Sequence, residues 1–328
     1  MAQTGSALVA AYRLDGKGGG NPLSTETLNA AWDSDPNDIW MHLDFTFGDA
    51  DYYLSTLAEL DEALIEALLE EYTRPRVARF SGGLMTTLRG VNLNPGEAPD
   101  DLISLRVWLS HNRLITLRRR PLQAIQQVRD DLASGSGASN VTALMVEMAD
   151  HMIDQMGELL LEIDEALSQG EEKMLTGTEL NGDDLARLRR PMITLRRFME
   201  PQYDCLNRLC DASLGLDETN RLALREVANH LYRYIEDVRA MQERALIIQE
   251  QVWSIHNERL NSRMYLLSII TVLFLPLTFL TGLLGINVGG IPGANNPYGF
   301  ALVLVLCLLV SVLVLGAVWG WQRYRQRG

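Results

Sequence analysis

The chain has 328 residues, of which 47% are apolar and 22% are charged, and its formal net charge is −13. All 42 acidic residues precede Met264, whereas the only charged residues among the last 65 are three arginines. This asymmetry excludes an ordinary soluble protein, because Met264 to Leu284 and Phe300 to Trp321 are uncharged runs of 21 and 22 residues, each long enough to cross a bilayer.

The first 120 residues are predicted to contain a leader and a mixed domain. Residues 1–35 lack the apolar core of a signal peptide and are predicted to form a polar, glycine-rich leader. Residues 36–120 are predicted to form an α+β cytoplasmic domain. Its β-rich runs cover 38–45, 77–80, 84–91, 102–109 and 113–117, and a leucine- and glutamate-rich helix covers 53–72.

Residues 121–216 are predicted to form cytoplasmic helices, because the strand signal ends at Pro121. Helix starts are predicted at Pro121, at Ser139 or Asn140, and at Asp183 or Asp184. The third of these helices contains Pro191 and Pro201, which are predicted to kink or break it.

A single long helix is predicted over residues 217–285, with Asp217 as its N-cap and a first membrane span at 264–284. The 60 residues from Leu216 to Leu275 contain neither glycine nor proline. Apolar residues recur at intervals of three and four and predict a helix-packing seam. The seam consists of Leu224, Val227, Leu231, Ile235, Val238, Met241, Ala245, Ile248, Val252 and Ile255.

A second stripe of residues, largely polar, follows the same helix beside the seam, and we call it the polar stripe. It consists of Glu236, Glu243 and Glu250, followed by Asn257, Asn261, Met264, Ser268, Thr271, Leu275, Thr278 and Gly282. Such a stripe indicates either close helix packing through small residues or the lining of a pore. Two spans cannot enclose a pore, so a pore requires an oligomer in which each lining residue repeats as a ring.

The rings expected from this stripe suit cations. The three glutamates predict acidic rings on the cytoplasmic side, and the asparagines and hydroxyl residues predict rings of uncharged oxygens. A carboxylate at the centre of the bilayer would cost roughly 2.5–3.5 kcal/mol. Met264 and Leu275 are candidate hydrophobic constrictions.

The C-terminal part is predicted to contain an outer loop at 286–297, a second span at 298–321 and a basic cytoplasmic tail at 322–328. Arg259 and Arg263 precede the first span, and Arg323, Arg325 and Arg327 follow the second. Because positive flanks mark the cytoplasmic side, both termini are expected inside the cell.

The sequence Gly285-Ile286-Asn287, followed by Val-Gly-Gly-Ile-Pro-Gly, stands at the outer end of the first span. In this context it resembles the CorA superfamily of divalent-cation transporters and, within it, the ZntB branch of zinc transporters. The resemblance implies that Gly285, Ile286 and Asn287 form a selectivity filter, with the Asn287 amide facing a hydrated cation. It also implies a homopentameric funnel in the inner membrane that imports Zn²⁺ as its substrate, coupled to protons, without a resident cofactor.

Two alternatives stay open beside zinc uptake. One is a Mg²⁺, Co²⁺ or Ni²⁺ channel on the same scaffold, since oxygen ligands suit Mg²⁺ as well as Zn²⁺. The other is a membrane-anchored coiled coil that acts in signalling or as a scaffold. No nucleophile–base pair indicates an enzyme, and no nucleic-acid partner is expected.

Other candidate sites lie in the cytoplasmic part. Glu147, His151 and Asp154 share one helix face and could hold a divalent cation. Cys205 and Cys210 are five residues apart and are interpreted as core thiols. His256, close to the membrane entrance, is the candidate for proton coupling.

Overall fold

A computed structural model of the chain describes residues 5–71, 74–80, 82–176, 182–286 and 296–325. It divides into two compact units, Met1–Gln249 and Glu250–Gly328. The first unit contains a β-sheet with helices, and the second is entirely helical in its described part.

The sheet has seven strands in the order β2-β1-β3-β7-β6-β5-β4. Its strands are β1 Leu8–Leu14, β2 Gly20–Pro22, β3 Ile39–Asp44, β4 Arg76–Phe80, β5 Gly83–Gly90, β6 Ile103–Leu109 and β7 Arg113–Arg118. The central pair, β3 and β7, is parallel, and the other neighbours are antiparallel. The hairpin between β6 and β7 turns at His111 and Asn112, as predicted.

Seven α-helices accompany the sheet in the described chain. They are α1 Thr25–Ala31, α2 Glu62–Leu69, α3 Gln123–Ser134, α4 Val141–Leu175, α5 Gly182–Leu209, α6 Glu218–Leu284 and α7 Gly299–Arg325. A π-helical segment, Tyr52–Leu57, precedes α2, and a 3₁₀ turn, Ala212–Leu214, precedes α6. The predicted caps are confirmed for α4 and α6, because Asn140 Oδ1 accepts from Ala143 N at 2.8 Å and Asp217 Oδ1 from Asn220 N at 2.9 Å.

Alternation along the strands gives the sheet two buried faces. On β3, Ile39, Met41 and Leu43 belong to a core shared with α1, α2 and the π-helical segment. Trp40 and His42 alternate with them and are also fully buried, on the other face. Helices α4 and α5 contact β5, so the first unit has three layers, with the sheet between two sets of helices.

The predicted polar leader, residues 1–35, is wrong, because these residues contain β1, β2 and α1. The apolar run Leu8 to Tyr12 is short and carries little local signal. It is ordered by pairing with β3, where Tyr12 lies opposite Trp40 and stacks on its ring at 5.6 Å between centroids. Ala7 and Ala11 are buried as a result.

Two helix predictions are also corrected. The helix predicted over 53–72 is interrupted between the π-helical segment and α2, where Glu59 adopts a positive φ of 47°. A break at Pro191 or Pro201 is wrong, since α5 continues through both. Each proline removes one backbone hydrogen bond, but burial of Met192, Leu195 and Met199 stabilises the helix along its packed face.

The predicted seam of α6 is buried from Leu224 to Ile248. Its partners include α4 and α5 of the same chain. Arg244 forms ion pairs with Asp164 and Glu171 of α4, and Arg239 pairs with Glu200 of α5 at 2.8 Å. The seam therefore packs inside the first unit, and at Ile255 the side chain is already 39% exposed.

Candidate functional site

Two helices of the described chain are long and apolar enough to cross a membrane. The most apolar 18-residue window of α6 has a mean hydropathy of 2.2, and that of Gly299–Gly320 in α7 has 3.2. Neither window contains buried residues. In a soluble helix of this composition burial would be expected, so the surfaces of both helices require another apolar environment.

The polar stripe is exposed along its whole described length. Within the first predicted span the half-buried residues are Ile269, Leu273, Pro276, Leu277 and Leu280. At about 100° per residue these lie on the side of α6 opposite to Ser268, Thr271 and Thr278. The helix thus presents one half-covered apolar face and, opposite to it, an uncovered face with hydroxyl groups.

The hydroxyl groups on this face have a defined orientation. Ser268 Oγ donates to the Met264 carbonyl at 2.9 Å, and Thr271 Oγ1 donates to the Leu267 carbonyl at 2.9 Å. Since each hydroxyl hydrogen is used inside the helix, the oxygen lone pairs remain as acceptors. This arrangement suits a positive ion or the hydrogens of its water shell.

The polar stripe ends at Gly282, and α6 ends at Leu284, directly before Gly285. The Gly285 N–H donates to the carbonyls of Thr281 at 2.9 Å and Gly282 at 3.2 Å. A Cβ atom at this position would lie only 2.9 Å from the Thr281 carbonyl oxygen, so close approach of the backbone favours glycine here. Ile286 follows and is 48% exposed. Asn287 lies outside the described residues, and its role stays a prediction.

A family model described as "CorA-like Mg2+ transporter protein" matches residues 38–319, which include the strands from β3 onward, α6 and most of α7. The chain belongs to this family. The CorA-like family is one of ion transporters and not of enzymes.

Similarity to individual CorA-like proteins extends over nearly the whole chain. A Zinc transport protein ZntB of Yersinia enterocolitica is 34% identical over 320 residues, covering 97% of this chain and 95% of the relative. The Divalent cation transporter CmaX of Pseudomonas aeruginosa is 38% identical over 323 residues, covering 97% and 96%. The solved structure of full-length CmaX has a TM-score of 0.84 and 36% identity, and the match covers 98% of this chain and all of that one.

The remaining predicted residues of the stripe lie nearer the N-terminal end of α6. Glu236, Glu243 and Glu250 are exposed, as are Asn257 and Asn261. Exposure of all three glutamates fits the acidic rings expected from the sequence, although the rings themselves require further copies of the chain. His256 is exposed as well, and its role in proton coupling stays a prediction.

The predicted metal ligands on α4 fall into two groups. His151 Nε2 lies 3.1 Å from Asp131 Oδ2 and 3.9 Å from Glu147 Oε1. The neighbouring carboxylates of Glu147 and Asp131 raise the pKa of His151, so a metal bound here would compete with a proton. Asp154 instead groups with Asp150 and His230.

Sequence reasoning missed Asp131 and His230, the members of these groups that lie outside α4. Asp131 belongs to α3 and His230 to α6, and no spacing within α4 indicates either of them. Each group places three ligand atoms within 4.8 Å of one another.

The cysteines provide no metal site in the described chain. Cys205 and Cys210 are buried, as the interpretation as core thiols requires. Burial raises the pKa of Cys205 to about 12, which disfavours the thiolate that a zinc ion needs.

Proposed function

We propose that this chain is a homopentameric inner-membrane transporter that takes up Zn²⁺, with both termini in the cytoplasm. The observation that carries the proposal is the exposed polar stripe of α6, which runs toward Gly285 opposite to a half-buried apolar face. Near-full-length similarity to a protein named Zinc transport protein ZntB supports zinc as the substrate.

In this proposal five α6 helices turn the polar stripe toward a common axis. Acidic rings at Glu236, Glu243 and Glu250 concentrate cations on the cytoplasmic side. The lone pairs of Ser268 and Thr271, whose hydrogens bond to helix carbonyls, then accept hydrogen bonds from the water shell of the ion. Gly285, Ile286 and Asn287 form the outer filter.

Flux measurements in liposomes test the substrate. The full-length protein is reconstituted with an entrapped zinc-sensitive dye, and uptake is compared with that of Asn287→Ala and Gly285→Ala. Both variants are expected to reduce Zn²⁺ uptake at least 100-fold while the oligomer persists. Asn295→Ala, which changes an asparagine of the same loop, serves as the matched control and should retain uptake.

The same preparation separates the alternatives. Mg²⁺ flux without Zn²⁺ flux would overturn the zinc assignment in favour of a channel for Mg²⁺, Co²⁺ or Ni²⁺, a choice that the name of CmaX also leaves open. Equal activity of wild type and Asn287→Ala would favour the membrane-anchored coiled coil. A monomer in light scattering would remove the shared axis and with it the proposed pathway.

Proton coupling through His256 is a separable part of the proposal. An imposed inward pH gradient should accelerate Zn²⁺ uptake by the wild type, and His256→Gln should abolish that acceleration. His111→Gln, an exposed histidine in the turn between β6 and β7, is the control. Uptake that does not respond to the gradient would indicate a passive pathway.

We also propose that the group of Asp131, Glu147 and His151 binds a divalent cation in the cytoplasmic unit. One imidazole and two carboxylates are a ligand set that Zn²⁺ accepts. Equilibrium dialysis against Zn²⁺ should show one fewer bound ion per chain for His151→Ala than for His111→Ala. The same stoichiometry in both variants would contradict this site.

A further inference from the structure

A cavity of about 300 Å³ lies between the sheet and the first turns of α3, in a part of the molecule that the proposed transport function does not use. Its wall includes His42 of β3, Arg118 at the end of β7, and Gln123, Gln126 and Arg129 of α3. Among the described residues that line it, none is acidic. In a chain with a net charge of −13, a cavity lined by two arginines and no carboxylate is unusual.

His42 supplies a polar atom without a partner. Its side chain is fully buried, and Nδ1 lies 2.8 Å from Thr116 Oγ1. The same oxygen accepts the Trp40 indole N–H at 2.8 Å, so the single Thr116 hydroxyl hydrogen is free to donate to Nδ1. In the tautomer in which Nδ1 accepts this hydrogen, the ring proton of His42 is on Nε2, which is buried and has no hydrogen-bond partner among the described residues.

The protonation state of His42 follows from its surroundings. Burial, together with the positive charges of Arg118 and Arg129, lowers its pKa to about 3. The imidazole is therefore neutral at physiological pH and presents Nε2–H as a donor. A buried donor without an acceptor is unfavourable, and an anion in the cavity would accept its hydrogen bond.

The two arginines leave further donors near the cavity. Arg118 Nε is buried without a hydrogen-bond partner among the described residues, and it lies 3.8 Å from Asp44 Oδ2, beyond hydrogen-bond distance. Arg129 donates to Gln126 Oε1 at 3.0 Å and to the Tyr12 hydroxyl at 3.4 Å, both neutral acceptors. Apart from the Asp44 carboxylate beside Arg118, the positive charges here face neutral groups.

The N-terminus of α3 also lines the cavity. This helix has 12 residues and begins at Gln123, and its N-cap, Leu122, provides no side-chain hydrogen bond in the described structure. The first N–H groups of an α-helix have no partners inside the helix and carry a partial positive charge. Leu122 and Gln123 both belong to the cavity wall, so this uncapped end faces the same space as the arginines.

We propose that this cavity binds a phosphate group, either free phosphate or the phosphate of a small metabolite. An uncapped helix N-terminus and paired guanidinium groups are the features that recognise phosphate oxygens, and His42 Nε2–H adds a neutral donor. The volume suits a small ligand. This site is separate from the ion pathway and does not depend on zinc being the transported ion.

Isothermal titration of the full-length protein in detergent tests the site, with sodium phosphate as the probe and sodium chloride and sodium acetate at matched ionic strength. We expect one phosphate per chain and no saturable heat with chloride or acetate. Arg129→Gln should weaken phosphate binding at least tenfold. Arg119→Gln, which removes an exposed arginine that pairs with Glu71, is the control and should bind like the wild type.

A second measurement keeps the test independent of folding. Arg118→Gln removes a partly buried guanidinium group and could prevent folding, so thermal unfolding is recorded for every variant. If Arg118→Gln does not fold, the phosphate affinity of Arg129→Gln alone decides whether the arginines bind phosphate. A second titration uses glycerol 3-phosphate in place of inorganic phosphate. Tighter binding of glycerol 3-phosphate would indicate the phosphate of a small metabolite as the ligand, and tighter binding of inorganic phosphate would indicate free phosphate. Absence of phosphate binding in the wild type, or equal binding in wild type and Arg129→Gln, would overturn the proposal.

Discussion

The two compact units contain the same apolar residue types but use them in opposite ways. In the first unit Leu105 and Ile115 are fully buried between the sheet and its helices. In the second unit Leu313 is 70% exposed and Leu308 is 60% exposed. Exposing apolar side chains to water costs about 25 cal/mol per Å² of apolar surface. The apolar surface of the second unit therefore needs to be covered by lipid or by further copies of the chain. A single chain therefore completes the core of the first unit but not the surroundings of the second.

The largest expected effect comes from the same substitution in both units. Leu105→Ala creates a cavity in a packed core and should lower the free energy of unfolding by about 2–5 kcal/mol. Leu313→Ala removes an exposed side chain and should change it by less than about 0.5 kcal/mol. Thermal unfolding in detergent, followed by circular dichroism, measures both, and we expect a midpoint shift of roughly 5–15 °C for Leu105→Ala.

The matched pair also shows how the contrast could fail. If Leu313→Ala destabilised the protein as much as Leu105→Ala, then α7 would be packed against protein in the assembled state at this position. The surface of α7 that is exposed in one chain would then be an interface between chains. Its apolar side chains would be covered by other copies of the protein and not by lipid.

Acid should affect the first unit through His42. Burial lowers the pKa of His42 to about 3, whereas in the unfolded chain it is near 6.5. The unfolded state therefore binds more protons between these values, so stability is full above pH 6.5 and falls as the pH decreases. From pH 6.5 to pH 5 the loss is about 2 kcal/mol at 1.36 kcal/mol per unit.

A matched variant isolates this contribution. His42→Gln should be less stable at pH 7 but should lose less stability between pH 6.5 and pH 5 than the wild type. His151 acts in the opposite direction, because its raised pKa provides stability below about pH 6.5 that is lost at higher pH. His151→Gln should therefore lower stability between pH 6.5 and pH 5 without steepening the loss in that window, and an unchanged acid profile in His42→Gln would show that His42 is not its origin.

A structural feature could be predicted from the sequence when the residues that determine it are close together in the chain. The N-cap of α6 at Asp217 and its continuity to Leu275 follow from one capping residue and from a segment without glycine or proline, and both agree with the structure, in which the helix continues through Pro276 and Gly282 to Leu284. The strand β1 was missed because its order comes from pairing with β3, about 30 residues away in the chain. Local patterns contain no information on such a partner.

The candidate sites also differ in how close together their residues lie in the chain. The polar stripe lies on one helix, so its spacing could be read from the sequence, and its role as a pore lining stays a prediction. The groups around His151 and His42 combine several elements, and the sequence gives no spacing that connects Asp131 to His151 or Arg129 to His42. Clusters assembled by the tertiary fold could be found only after the packing of α3 on the sheet and on α4 was known.

A smaller effect is expected from the two kinds of hydroxyl position in the second unit. Thr271 lies on the polar stripe and Thr281 lies off it, although both hydroxyls donate to a helix carbonyl at 2.9 Å. Thr271→Val should reduce Zn²⁺ uptake about tenfold, which corresponds to about 1.4 kcal/mol in the transport barrier. Thr281→Val should leave uptake unchanged, and equal loss in both variants would assign the hydroxyls to helix structure instead of ion contact.

The smallest effect separates the N-cap of α6 from the turn that precedes α7. Asp217 caps α6 in the first unit, and hydrogen bonding to the backbone N–H of Asn220 lowers its pKa, whereas Asn296 Oδ1 accepts from the Tyr298 N–H before α7 in the second. Asp217→Ala should cost about 1 kcal/mol locally, and Asn296→Ala should remove the hydrogen bond of the turn before α7. Hydrogen-exchange mass spectrometry should show faster exchange at the first turn of α6 in Asp217→Ala and at the first turn of α7 in Asn296→Ala, with no transfer between them. Because the lowered pKa of Asp217 gives stability that is present above about pH 4 and lost in acid, the difference between wild type and Asp217→Ala should decrease as the pH falls below about 4. If Asp217→Ala instead accelerated exchange in α7, the two units would unfold together as one cooperative unit.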